Sequence, residues 1–184
     1  SGLASTGGAL YIWTSDDDLE LAFEDTIFDR NFADQSGGAL GVDGHPFEIS
    51  LISTQFIANR VRTGHGGAVH LSSVNSLSIE NCTFEGNSAR DCGGALQVAE
   101  SKSTASISES SFVNNTARAG GAIFTEISLD ARTCRFHQNR ANELGGAVHI
   151  ATEGNTRFGR TLFRQNDAVV GGGVYVAEVH KLEI

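Results

Sequence analysis

Phe84 to Leu96 reads FEGNSARDCGGAL, and this frame, F-x-x-N followed by G-G-A, returns along the chain. It recurs as FDRNFADQSGGAL from Phe28, FIANRVRTGHGGAV from Phe56, FVNNTARAGGAI from Phe112 and FHQNRANELGGAV from Phe136, and more loosely as FRQNDAVVGGGV from Phe163. The intervals between successive Phe residues are 28, 28, 28, 24 and 27. Self-similarity at this period means stacked supersecondary units, each too small to bury its apolar face alone.

Within a unit, short alternating segments follow the glycines. Ala68–Leu71 and Ala147–Ile150 read as one strand, Leu21–Glu24 and Leu77–Glu80 as a second, and the Phe lies on a third. Three period-two segments with turns between them fit one coil of a parallel β-helix. No unit holds ten residues of helical apolar period, and glycine and β-branched residues are too frequent for helical repeats. The fold class expected is all-β, a right-handed parallel β-helix of nearly seven coils of about 27 residues with three short strands per coil. At about 4.8 Å per coil it is roughly 30 Å long.

Stacking turns the motif into columns. Phe28, Phe56, Phe84, Phe112, Phe136 and Phe163 form a buried ring stack. Asn31, Asn59, Asn87, Asn115, Asn139 and Asn166 form an amide ladder, with asparagine also tolerating a left-handed turn. The pairs Gly37–Gly38, Gly66–Gly67, Gly93–Gly94, Gly120–Gly121 and Gly145–Gly146 mark turns or close approaches where a Cβ would clash. Thr26, Thr54, Cys82, Ser110, Cys134 and Thr161 share a small, modestly polar column.

Residues 1–184 read as one β-helix segment, cut mid-coil at both ends from a longer solenoid. Gly7-Gly8-Ala9-Leu10 opens mid-coil, and Lys181–Ile184 matches Ser76–Ile79, before the next Phe. Further coils or a neighbouring chain are expected at both ends. The net charge of −9 falls within residues 1–50, which carry ten acidic residues and one Arg. Nucleic acid is disfavoured as a partner by the missing basic excess. Asp16-Asp17-Asp18 offers carboxylates, the ligands of Ca²⁺, but its spacing matches neither an EF-hand loop nor a Gly-Asp β-roll repeat and it reads as a solvated turn. No apolar run approaches membrane-spanning length. No metal site or cofactor is expected. Cys82 and Cys134 are two rungs apart, too far for a disulfide, and the cysteines read as buried small residues, with a Cys82–Cys92 bond left open.

Ordered alternation of FxxN with GGA[LIV] resembles the repeats of the chlamydial polymorphic membrane proteins. The GGA[LIV] motif occurs six times here and FxxN six times, with Gly171-Gly172-Gly173-Val174 departing by one residue. The resemblance implies a right-handed, pectin-lyase-like β-helix at the cell surface, part of an autotransporter passenger that acts in adhesion.

Right-handed β-helices also house polysaccharide lyases and hydrolases, which need grouped carboxylates or basic residues on adjacent outward positions. The first outward column after GGA[LIV] holds Tyr11, Gly41, His70, Gln97, Phe124, His149 and Tyr175, and the next holds Trp13, Asp43, Ser72, Ala99, Glu126, Ala151 and Ala177. Asp43 and Glu126 lie three coils apart, about 14 Å, too far to flank one bond. The chain is therefore read as a non-enzyme: an extracellular or cell-surface adhesin-like or structural stalk. The alternative is part of a carbohydrate-active protein whose catalytic coils lie elsewhere. Candidate contacts with a protein or glycan partner are Tyr11, His70, Phe124, His149 and Tyr175, and an Arg62, Arg90, Arg118 stripe suited to anionic glycans. Two N-x-T patterns, Asn81-Cys82-Thr83 and Asn114-Asn115-Thr116, match glycan acceptors, but both fall inside a repeat rich in Asn and Thr.

Overall fold

The computed structural model describes residues 4–16, 18–99, 103–152, 154–178 and 181–184. Three parallel sheets run the length of the solenoid, each strand pairing with its counterpart one coil away. The first sheet has seven strands, from Leu10–Thr14 to Val174–Val176, and the second has seven, from Glu20–Glu24 to Lys181–Glu183. The third has six, from Ile27–Asp29 to Leu162–Arg164. The chain is thus an all-β, right-handed parallel β-helix, as its repeat predicts. A fourth element was not anticipated. Before the glycines the corner segment forms short pairs of its own, Phe32–Ala33 with Arg60–Val61 and Thr116–Ala119 with Arg140–Leu144.

Alternation along each strand sends one set of side chains inward. The first sheet contributes Leu40, Val69, Leu96 and Ile123, the second Ile49, Leu77 and Leu129, and all are buried. The Phe rings of the third sheet stack face to face, with centroids 4.7 to 5.0 Å apart and planes within 9° of parallel. The register sets that geometry, because the ring spacing matches the strand spacing of about 4.8 Å.

The Asn ladder uses every hydrogen-bonding position of its inner members. Asn87 Nδ2 donates to the Phe56 carbonyl at 2.9 Å and to Asn115 Oδ1 at 3.1 Å. Its Oδ1 accepts from the backbone N–H of Asn59 at 2.9 Å and from Asn59 Nδ2 at 3.1 Å. Two donors and two acceptor sites are all a primary amide has. The side chain thus replaces the backbone ladder where the chain turns, and the links run in one direction from Asn31 to Asn166. The ladder asparagines do not themselves turn left-handed. The preceding residue does, with φ of 54° at Arg30, 52° at Ala58 and 55° at Asn114. A second such corner precedes the Thr/Cys/Ser column, at Asp25, Ser53, Asn81, Glu109, Thr133 and Arg160. Non-glycine residues rarely adopt this conformation, so the coil closes at a local cost that the ladders offset.

Gly93 and Gly94 show the reasons for the glycine pair. Gly93 has φ +65°, and a Cβ on Gly94 would lie 2.0 Å from the Gly121 carbonyl oxygen. The first glycine turns and the second lets adjacent coils touch backbone to backbone. Cys82, Cys92 and Cys134 are buried free thiols. Burial pushes the Cys92 thiol up to about 11, so it remains protonated at neutral pH.

Candidate functional site

Outward residues of the first sheet align in register: Tyr11, Gly41, His70, Gln97, Phe124, His149 and Tyr175 are successive partners. Past Tyr11, which is 46% exposed, the column is less exposed than its outward position suggests. Gln97 is 5% exposed and His149 7%, and the His70 side chain keeps 14% of its surface. Each coil's corner segment lies beside the strand that follows its glycines. Its residues Thr6, Ser36 and His65 bridge to one another along the solenoid, as do Cys92 with Ala119 and Leu144 with Val170. At Gly41 a Cβ would meet Thr6 Cγ2 at 2.6 Å and Tyr11 Cδ2 at 3.3 Å, which shows how closely the corner flanks the column. The expected open aromatic face is therefore a recessed groove.

Two halves of the groove differ in chemistry. Toward the N-terminus, Asp43 accepts a 2.6 Å hydrogen bond from Ser72 Oγ and lies 3.3 Å from His70 Nε2. His70, then Ser72 and Tyr11, hold the Asp43 carboxyl below its ordinary range against the opposing effect of burial. Burial, and then the Asp43 charge, push the Tyr11 phenol upward. The sequence columns separate Asp43 from His70. The structure joins them diagonally, one coil and two residues apart, and that offset was available in the sequence.

Toward the C-terminus the groove is aromatic. His149 meets Phe124 and Tyr175 edge to face, with centroids 4.9 Å away in each case. The rings form a herringbone rather than a row of flat platforms. Burial holds the His149 and His65 imidazoles below their usual pKa. Along both halves hydrogen-bonding capacity is unspent: Gln97 Oε1 and Nδ1 of His65, His70 and His149 are buried without a partner. His65 was not singled out from the sequence, because it belongs to the corner and not to a strand.

The arginine stripe is broken. Gly66 follows Asn59 by seven residues, Gly93 follows Asn87 by six, and Gly120 follows Asn115 by five. The shortening sets Arg118 beside Asp91, whose carbonyl accepts its backbone N–H, rather than beside Arg90. The Arg62 guanidinium bonds Asp34, and Arg118 bonds Glu143 at 2.8 Å. Arg90 is exposed. Among the described residues no three His, Cys, Asp or Glu side chains converge to hold a metal ion. Asp16 Oδ1 accepts from the Asp18 backbone N–H in a local turn, and Asp17 lies outside the described residues. No helix of the described residues is long and apolar enough to cross a membrane.

The Chlamydia polymorphic membrane protein repeat matches residues 81–99 and 109–126, each match spanning one FxxN and one GGA[LIV] motif. Metabotropic glutamate receptor-like protein P of Dictyostelium discoideum is 26% identical over 188 residues, covering 88% of this chain and 13% of that protein. This chain thus spans about an eighth of the length of the curated relative it matches. No solved structure matches. The repeat type and the solenoid fit a surface-type repeat protein. The chain carries repeats of the chlamydial polymorphic membrane protein type, wound into a right-handed parallel β-helix.

Proposed function

We propose that this chain is an adhesin-like module of a cell-surface or secreted β-helix, and that the groove of the first sheet contacts a protein or glycan partner. The reading is carried by the unpaired Gln97 Oε1 and His149 Nδ1, set in line with the half-buried rings of Phe124 and Tyr175. A scaffold gains nothing from a buried acceptor without a donor, which costs about 1–3 kcal/mol. The rings of Phe124 and Tyr175 offer a partner apolar surface directly, and the buried Gln97 Oε1 and His149 Nδ1 recover that cost where binding parts the corner segment from the column. The repeat type and the receptor-like relative support a surface setting. Inward-facing side chains left open in the first and last coils, Leu10 at 37% and Leu182 at 41% where their column partners Leu40 and Leu129 are buried, support a place within a longer solenoid.

The test is binding to cells and to glycan arrays by the parent, by Phe124→Ser with Tyr175→Ser, and by Gln97→Leu. Binding should fall in both variants while circular dichroism stays that of the parent. Undiminished binding in both would turn the groove into scaffold and favour a plain spacer.

A further inference from the structure

The two N-x-T patterns are ambiguous as text, because the repeat itself places Asn and Thr close together. The fold separates the asparagines sharply. Asn81 and Asn114 are exposed, each at a left-handed corner with φ of 52° and 55°. Asn115, one residue on from Asn114, is fully buried, and both of its amide hydrogens are engaged, by the Phe84 carbonyl and by Asn139 Oδ1.

From this geometry we propose that Asn81 and Asn114 are acceptors for N-linked glycans when the chain is exported through a eukaryotic secretory pathway. In the transfer, Asn Nδ2 forms a bond to C1 of a lipid-pyrophosphate-linked oligosaccharide. The C1–O bond to the pyrophosphate breaks, the lipid pyrophosphate leaves with the electron pair, and one amide proton is lost. A glycosylated amide keeps one N–H. That matches Asn81, whose Nδ2 donates one bond, to Ser53 Oγ at 3.1 Å, at an exposed position. Along the other corner, the residue one coil before Asn114 is Gly86, where an added Cβ would meet nothing within 4 Å. That corner therefore projects into open space. The Thr of each pattern is also reachable, Thr83 being half-buried and Thr116 exposed. Asn81 precedes the strand Thr83–Glu85 and Asn114 follows the strand Ser111–Val113, so the glycans would bracket the third sheet. The groove of the first sheet stays uncovered, and glycan attachment is compatible with partner binding there.

The test secretes the chain from eukaryotic cells and removes N-glycans enzymatically in heavy-oxygen water, which marks each former acceptor by mass. Marks at Asn81 and Asn114, two glycan-sized losses in intact mass, and loss of one each in Asn81→Gln and Asn114→Gln are the expected result. Thr83→Val and Thr116→Val abolish the same patterns while keeping the corner asparagines, so a variant that fails to fold does not leave the question open. A secreted, cooperatively melting chain with neither mark overturns the proposal. A mark at one position alone overturns the assignment at the other.

Discussion

Two columns of this solenoid run parallel and obey opposite rules. The Asn ladder repeats one residue type in six coils, and its inner amides spend every donor and acceptor. The groove column changes residue at nearly every coil, from Tyr11 through Gly41, His70, Gln97 and Phe124 to His149 and Tyr175, and leaves buried polar atoms unpaired. Both columns are held in register by the same backbone pairing. Register alone therefore does not demand repetition; a column repeats where its side chains bond or stack on one another from coil to coil. Where that duty is absent, the residues are free to differ, and a buried atom without a partner becomes informative.

The comparison breaks first at its strongest point. Gly94→Val should abolish cooperative folding, since its Cβ would lie 2.0 Å from one backbone oxygen and 2.6 Å from the Thr116 nitrogen. Phe84→Ala should cost about 3–5 kcal/mol, because it empties the centre of the ring stack. Asn87→Ala should cost about 1–3 kcal/mol for each buried partner it strands, with Asn59 Nδ2 and the Phe56 carbonyl among them. Urea denaturation measures all three. A loss under 1 kcal/mol at Asn87 would remove the distinction between the columns.

Acid should act on the groove before it acts on the ladder. His65 and His149 have folded pKa values depressed below the ordinary 6.5 by burial. The unfolded chain therefore binds protons that the folded chain refuses. Stability is fully present above the unfolded value, declines as pH falls below 6.5, and keeps declining until the depressed folded values are reached. Asp43 adds a separate loss at lower pH, because its folded carboxyl is depressed from 3.8. The melting temperature should drop on acidification from neutral pH, and His65→Phe with His149→Phe should flatten the upper part of that drop. An unchanged profile in the double variant would show that these imidazoles are not desolvated.

Gln97→Leu probes the unpaired acceptor directly. It keeps the side-chain volume and removes a buried oxygen without a partner, so the free protein should be stabilised by roughly 1 kcal/mol, where a satisfied glutamine would lose stability. Thermal melts of the unliganded variant decide the sign.

The parts of the fold that were legible in the sequence are those in which one residue type meets the same need in every coil. Phe28 to Phe163 and Asn31 to Asn166 could be placed in columns by spacing alone. The left-handed corners could not, because Asp25, Arg30, Ala58 and Gln138 share no side-chain chemistry. What they share is the column residue that follows, Thr26 after Asp25 and a ladder Asn after the other three. The depth of the groove was hidden for a related reason. Alternation says which way a side chain leaves its own sheet, and it is silent about the corner segment carrying His65 and Cys92 alongside. The slip of Arg118 was legible by counting, since one residue fewer separates Asn115 from Gly120 than Asn87 from Gly93.

The smallest effect is expected at that slip. Arg118 is paired with Glu143 and lies 3.7 Å from Asp91, but its side chain keeps 47% of its surface in solvent. Exposed pairs of this kind contribute about 0.2–1 kcal/mol and are screened by salt. Arg118→Ala should therefore shift stability by less than about 1 kcal/mol at low ionic strength, and by less still in about 1 M salt. Arg62, bonded to Asp34 at an exposed place, forms a contact that salt should likewise screen. Arg62→Ala and Arg118→Ala then serve as controls for the groove variants, because they alter charge across coils without touching the register. A loss at Arg118 comparable to that at Asn87 would mean that the corner pairs bind the coils together. The repeating ladder would then cease to be the structural column and the irregular surface the free one.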